Sequence, residues 1–126
     1  MQVLLDTSIL LMWLRDDKKL PKKVTEIISD ADNDIFVSAA NVWEISRKKR
    51  DGAIDIDMDD LTGAIKKSGF EMLPLSAAHT AQVDLLPEYH DDLFDRLLLA
   101  QSAVEPMRLL TRNKVMKNYG GNVILV

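Results

Sequence analysis

The sequence contains no cysteine, which excludes disulfide bridges, thiolate metal sites and a cysteine nucleophile together. It contains only two histidines, His79 and His90, and they do not have the spacing of a metal-binding pair. We expect these histidines at the surface or at the margin of the core and assign neither a functional role. Any metal-binding or catalytic function would therefore depend on other side chains.

The sequence also lacks an apolar run long enough to cross a membrane. Its most apolar N-terminal stretch covers residues 3–14, where Asp6 interrupts it. Charged residues follow this stretch at Arg15, Asp16 and Asp17, where a signal peptide would have a small-residue cleavage site. We expect a cytoplasmic protein with no membrane partner.

An excess of basic residues is absent as well. The 16 lysines and arginines are outnumbered by 20 aspartates and glutamates, which gives a net charge of −4. This balance argues against binding of nucleic acid through a generally basic surface. It does not exclude a nuclease that reaches phosphates through cations held by its acidic residues.

The remaining pattern predicts one α/β domain over residues 1–126. Short apolar segments predict strands at residues 2–6, 34–38, 71–75, 108–111 and 122–126. Helical patterns alternate with them at residues 8–15, 21–30, 39–50, 59–68, 77–86 and 93–105, and residues 52–60 are predicted to be a solvated connection. Such alternation favours a three-layer fold with a mostly parallel sheet of four or five strands. Pro74 weakens the third strand or places it near a sheet edge.

Acidic and amide residues follow the predicted strands at one edge of that sheet. Asp6 ends the first strand, Glu44 lies in the helix after the second, and Asn113 follows the fourth. Asp92 and Asp95 begin the helix that leads into the fourth strand. Sites in open parallel sheets form at the carboxyl ends of strands, and carboxylate oxygens are the ligands that Mg²⁺ prefers. The pattern therefore predicts a cation site at this edge.

Each acid also has a purely local interpretation. Asp6 can cap the helix that begins near Ser8, and Asp92 can cap the next acidic helix with Asp95 three residues on. Glu44 lies at the border of an apolar helix face, where it can pair with a basic residue one turn away. From spacing alone, a salt bridge and a metal ligand are equally good interpretations of Glu44.

Three stretches together resemble one known family. "VLLDTSILLMWL", "VSAANVWEISRKKRDG" and "HDDLFDRLLLAQSAVEPMRLLTRN" are similar to the PIN-domain ribonucleases, specifically to VapC-type toxins of toxin–antitoxin pairs. The resemblance runs from Val3 nearly to the C-terminus. It implies a PIN-like fold, cleavage of RNA by a Mg²⁺- or Mn²⁺-dependent endoribonuclease, a cognate antitoxin as partner and often a homodimer.

The resemblance also implies site residues. The three acidic metal ligands and catalytic residues of the family fall on Asp6, Glu44 and Asp95, and Asp92 is the accompanying acid of the third motif. The family usually has a proline where this chain has Leu93.

A fourth acid is common in the family at the position that Asn113 occupies here. Asparagine offers a neutral carbonyl oxygen, so it can still contact a cation, but it removes one negative charge. The alternative function is therefore a non-catalytic PIN-like interaction module with a weakened metal site.

Six residues around the acidic edge are candidates for weaker substrate contacts: Arg96, Arg112, Thr7, Thr111, Arg47 and Lys48. Arg96 and Arg112 are the better candidates for phosphate contact. Arg47 and Lys48 belong to the basic end of a predicted helix, where positive charge also complements the helix dipole. Three aromatic residues have apolar neighbours and are expected in the core: Trp13, Trp43 and Phe94.

Overall fold

Five parallel strands form a single sheet in the computed structural model, which describes residues 1–126. The order across the sheet is β3-β2-β1-β4-β5, so β1 is central and β3 and β5 are the edges. The prediction of a mostly parallel sheet with four or five strands is confirmed. The strands are β1 Gln2–Leu5, β2 Asp34–Ser38, β3 Glu71–Leu73, β4 Arg108–Thr111 and β5 Val123–Leu125.

Helices connect the strands and cover both faces of the sheet. They are α1 Thr7–Leu14, α2 Lys22–Ser29, α3 Ala39–Arg50, α4 Met58–Lys67, α5 Ala77–Val83 and α6 Leu93–Val104. A 3₁₀ helix at Lys114–Tyr119 lies between β4 and β5. None of these helices has the length and apolarity needed to span a bilayer.

Two apolar cores follow from the alternation of side chains along the strands. Val3 and Leu5 of β1 face one core, which α1, α2, α3 and α4 complete, while Leu4 faces the other. The second core is built mainly by α6, from Leu97 to Ala100, and by Met116 of the 3₁₀ helix. Both faces of the central strand are fully buried, which explains its continuous apolar sequence.

Polar caps set the helix starts. The Ser38 hydroxyl accepts from the backbone N–H of Ala40 at 2.9 Å, and Asn41 Oδ1 accepts from the N–H of Ser38 at 2.7 Å. This capping box confirms the predicted start of α3. Asp57 caps α4 by accepting from the N–H of Asp60 at 3.0 Å. Residues 58–60 are therefore helical, and the predicted solvated connection is shorter than expected.

The other differences from the predicted boundaries have local causes. The first strand ends at Leu5 because Asp6 is the N-cap of α1 and accepts from the N–H of Ile9, so the chain turns into the helix directly after it. The third strand ends before Pro74, which has no N–H to donate, and it lies at an edge as predicted. The 3₁₀ helix was not predicted, because six residues with one buried side chain leave no clear periodicity.

The α5–α6 connection is held by the buried guanidinium of Arg96. Its two terminal nitrogens donate, over 2.8–3.4 Å, to four backbone carbonyls and one hydroxyl, on Val83, Leu86, Pro87, His90 and Tyr119. These bonds take up carbonyls at the end of α5, which stops at Val83 instead of the predicted Leu86. Because its donors are used within the fold, we do not retain Arg96 as a candidate phosphate contact.

Arg96→Lys should lower the free energy of unfolding by about 2 kcal/mol, since lysine lacks the planar fork and leaves buried carbonyls without donors. Urea denaturation of the two proteins at the same pH measures this difference. Wild-type stability combined with weaker binding of nucleic acid would instead assign Arg96 to a phosphate contact.

Candidate functional site

The predicted acidic residues meet at the carboxyl edge of the sheet. The strand order reverses beside β1, because the chain continues to β2 and β3 on one side and to β4 and β5 on the other. Such a reversal opens a crevice at the ends of β1 and β4. Asp6 follows β1 directly, and both Asp95 and Glu44 are close enough to raise the pKa of Asp6 by charge repulsion. The structure therefore brings these three residues together.

Asp6 is a buried carboxylate that also caps α1. Its Oδ1 accepts from the N–H of Ile9 at 2.8 Å, and its Oδ2 accepts from the Thr111 hydroxyl. Burial raises the pKa of Asp6 from 3.8 to about 6, although both hydrogen bonds oppose this shift and the neighbouring acids add to it. The capping interpretation is correct, but no ion pair compensates the charge.

Asp95 is half-buried and has two hydrogen-bond donors on one oxygen. His90 Nε2 lies 3.0 Å from Oδ2, and the amide nitrogen of Asn113 donates to the same oxygen at 3.3 Å. Burial raises the pKa of Asp95, the hydrogen bond from His90 lowers it, and the charges of Asp92 and Glu44 raise it. No hydrogen bond within the chain reaches Oδ1.

The structure is compatible with both interpretations of Glu44, as a salt-bridge partner and as a metal ligand. Its carboxylate lies 3.5 Å from the ammonium of Lys48, one turn further along α3, and its side chain is 15% exposed. Arg47 is exposed and forms no ion pair. Because Glu44 acts electrostatically on both Asp6 and Asp95, it lies at the same edge even while it is paired.

Asp92 and Asn113 are both helix caps. Asp92 is exposed and accepts from the N–H of Asp95 at 2.9 Å, as predicted for the start of α6. Asn113 Oδ1 accepts from the N–H of Val115 at 3.2 Å, at the start of the 3₁₀ helix. The oxygen of Asn113 is thus used in the cap while its nitrogen donates to Asp95.

Residues 3–122 match the profile of the PIN domain family. The chain belongs to the PIN domain family. No curated protein sequence matches it significantly.

Solved structures with the same fold include VapBC2 from Rickettsia felis bound to a DNA fragment from its promoter, with a TM-score of 0.71 and 18% identity over 100% of this chain and 98% of that one. A toxin–antitoxin complex from Klebsiella pneumoniae has a TM-score of 0.63 and 21% identity, with 97% and 95% covered. FitAcB from Neisseria gonorrhoeae has a TM-score of 0.61 and 17% identity, with 90% and 89% covered.

The oxygen donors of this PIN domain suit a hard divalent cation. Three carboxylates share the edge, their charges repel one another, and the most buried of them has no cationic partner. In the structure as it stands, no three acidic or histidine side chains are close enough to enclose an ion. A cation held by all three carboxylates would therefore require side-chain movements, and the only ion pair that Glu44 would have to break for this is the one with the partly exposed Lys48.

The other predicted contact residues divide into buried and exposed groups. Thr111 is buried and orients Asp6, while the buried Thr7 hydroxyl accepts from the amide of Asn41 at 2.9 Å. Arg112 is exposed and its Nη1 lies 3.1 Å from the sulfur of Met12. Of these three residues, only Arg112 is exposed and can therefore present donors to a phosphate.

The aromatic prediction is wrong for Trp43, a residue that is 41% exposed. Its ring packs edge-on against Phe94, with the ring centroids 4.9 Å apart, and Phe94 is half-buried. Trp13 is half-buried against Phe70. Trp43 and Glu44 are adjacent in α3, and the helix period points their side chains about 100° apart.

Sequence reasoning missed three polar residues at the site. Asn41 is buried and ties α3 to the end of β1 through the carbonyl of Leu5. His90 and Tyr119 are half-buried and hydrogen-bond to each other at 2.7 Å beside Asp95. Asn41 could have been recognised as the third helical residue after the Ser38 cap. The sequence positions of His90 and Tyr119 gave no indication that these two residues are in contact.

The raised pKa of Asp6 predicts a pH-dependent stability in the metal-free protein. Between pH 4 and pH 7 the folded state holds more protons on Asp6 than the unfolded state, so stability falls as pH rises through about 6. Asparagine does not titrate, so the free energy of unfolding of Asp6→Asn does not fall in this way. Its advantage over the wild type should therefore grow by about 3 kcal/mol between pH 4 and pH 7. Urea denaturation with a chelator present, repeated at several pH values, measures the difference. A difference that stays constant with pH would contradict the prediction.

Proposed function

We propose that this PIN domain is a metal-dependent endoribonuclease that hydrolyses RNA phosphodiester bonds, and that it is the toxin of a toxin–antitoxin pair. The observation that carries the proposal is the meeting of Asp6, Glu44 and Asp95 at one sheet edge. They come from three separate segments, and the pKa of Asp6 is raised chiefly by its burial and further by the charges of Asp95 and Glu44. Such an arrangement gains stability from a bound cation.

Asp6, Glu44 and Asp95 would hold Mg²⁺ or Mn²⁺. When bound, such a cation polarises the phosphodiester, lowers the pKa of an attacking water and stabilises the leaving oxygen. Thr111 and the N–H of Ile9 keep the Asp6 carboxylate in place by hydrogen bonds.

Exposed cationic groups near the edge support contact with the RNA backbone. The guanidinium of Arg112 and the exposed side chain of Arg47 have donors free for phosphate, and Lys48 can leave Glu44 for a phosphate at little cost because it is 44% exposed. These few groups position a strand without the basic surface that the net charge excludes.

The partners are proposed from similarity of fold. The structures from Rickettsia felis and Klebsiella pneumoniae are described as VapBC2 and as a toxin–antitoxin complex, and this chain covers nearly all of their length. We propose that this chain has an antitoxin protein as its partner, forms a homodimer and is located in the cytoplasm.

The alternative of a non-catalytic interaction module is favoured by Asn113. In place of a fourth acid, its amide nitrogen donates to Asp95 and its oxygen is used in a helix cap. In this alternative, the hydrogen bond from Asn113 compensates the charge of Asp95 and takes the place of a second cation.

Asp95→Asn should lower the rate of metal-dependent RNA cleavage by roughly 100-fold or more, because it removes a ligand charge. The assay incubates purified protein and structured RNA with Mg²⁺, with Mn²⁺ or with a chelator. Asp91→Asn is the matched control, since Asp91 belongs to the same motif but is exposed and makes no hydrogen bond. Equal cleavage by the wild type and Asp95→Asn would contradict the assignment, and no cleavage by the wild type would favour the alternative.

Asn113→Asp should tighten Mn²⁺ binding by about tenfold, because a negative charge at this exposed position then lies beside the half-buried Asp95. It should also lower the metal-free melting temperature, since an acceptor replaces the donor that now bonds to Asp95. Calorimetric titration and thermal melts measure the two effects. Asn118→Asp is the control, because Asn118 is exposed on the same 3₁₀ helix and makes no side-chain hydrogen bond. Unchanged Mn²⁺ affinity would leave Asn113 as a helix cap alone.

A further inference from the structure

We propose that Tyr119 and His90 are positioning residues that fix which oxygen of Asp95 is presented to the cation. The hydroxyl of Tyr119 favours one tautomer of His90, and His90 in turn holds Asp95 Oδ2, so that Oδ1 is left available to a cation. This inference rests on the proposed function only in taking Asp95 as a cation ligand.

The first step is the hydrogen count at the Tyr119 hydroxyl. Its oxygen accepts from Arg96 Nη1 at 3.2 Å and from the backbone N–H of His90 at 3.2 Å. A hydroxyl has one hydrogen and two acceptor lone pairs, and both lone pairs are thus used. The hydroxyl hydrogen is therefore donated, and two acceptors lie within reach: His90 Nδ1 at 2.7 Å and the backbone carbonyl of His90 at 3.4 Å. We assign the hydrogen to Nδ1 because that contact is much the shorter.

The second step is the tautomer of His90. Because Nδ1 accepts from Tyr119, the ring hydrogen of the neutral imidazole is on Nε2. Nε2 lies 3.0 Å from Asp95 Oδ2, so the N–H donates to the carboxylate. With the opposite tautomer, Nε2 would present a lone pair to the carboxylate and repel it.

The third step concerns the two oxygens of Asp95. Oδ2 accepts from both His90 Nε2 and Asn113 Nδ2, whereas Oδ1 accepts no hydrogen bond from the chain. Two donors on one oxygen fix the carboxylate plane and leave the other oxygen available as a ligand. Partners of this kind orient ligating side chains in metal sites.

The positions of the two rings support a fixed geometry. The Tyr119 ring is packed edge-on between the rings of Tyr89 and His90, with centroid distances of 5.0 and 5.4 Å. The Tyr119 hydroxyl is also tied to the buried guanidinium of Arg96. A purely structural role would use the same contacts to hold the loop before α6, and the experiment must separate these roles.

The first measurement is the tautomer of His90 in the metal-free protein. Long-range ¹H–¹⁵N NMR of the imidazole rings at about pH 8, above the ordinary pKa of histidine, distinguishes a protonated Nε2 from a protonated Nδ1. Comparison with His90→Gln assigns the signals, because only His79 then remains. We expect the Nε2–H form in the wild type and in Tyr89→Phe. In Tyr119→Phe only the Asp95 carboxylate still favours Nε2–H, so a measurable share of the Nδ1–H form should appear, and its complete absence would overturn the role of Tyr119.

The second measurement is Mn²⁺ affinity by calorimetric titration, together with kcat and KM for RNA cleavage. Tyr119→Phe should weaken Mn²⁺ binding by about tenfold and lower kcat with little change in KM. Tyr89→Phe makes the same chemical change on the neighbouring ring, whose hydroxyl makes no hydrogen bond, and should match the wild type. His90→Gln retains an N–H donor and should bind Mn²⁺ more tightly than His90→Leu.

Each outcome decides the proposal. A protonated Nδ1 in wild-type His90 overturns it, as does wild-type Mn²⁺ affinity in folded Tyr119→Phe. A lower melting temperature of Tyr119→Phe with unchanged affinity shows a structural role only and also overturns it. Wild-type protein that binds Mn²⁺ but cleaves no RNA refutes the proposed function, while the affinities of the variants still test the positioning. Wild-type protein that binds no Mn²⁺ overturns both.

Discussion

The burial of the Asp6 carboxylate at the end of the central strand is the constraint on which the rest of the site depends. β1 is covered on both faces, so the first residue after it begins inside the protein. A charge at this position costs free energy unless hydrogen bonds or a cation compensate it. Thr111 and the N–H of Ile9 supply part of that compensation, and the pKa of Asp6 remains raised to about 6.

Hydrogen bonds around this carboxylate link segments that are distant in sequence. Thr111 bonds to Asp6 and accepts from the N–H of Asn113 at 3.0 Å, which sets the direction of the chain after β4. Asn113 then donates to Asp95, so the first and third acids are connected through two residues. The same contacts stabilise the crevice and orient its carboxylates. A PIN domain thereby keeps acids together that repel one another in the absence of a cation.

The sequence was sufficient to predict most of the fold because strands buried on both faces leave continuous apolar segments between helical patterns. The capping role of Asp92 also followed from its position before an apolar helix. The contacts of Arg96 and His90 could not be predicted in the same way. Their partners lie in other elements and in the loop between α5 and α6, and only the folded chain brings Tyr119 of the 3₁₀ helix next to His90. Periodicity gives no information on such contacts.

The central claim is that Asp6, Glu44 and Asp95 bind one divalent cation together. A crystal structure of the protein soaked with Mn²⁺, with anomalous scattering recorded at the manganese absorption edge, tests it most directly. We expect an anomalous peak in contact with all three carboxylates and with Oδ1 of Asp95, accompanied by a movement of Glu44 away from Lys48. A peak elsewhere on the protein, or no peak at a saturating concentration of Mn²⁺, would contradict the account.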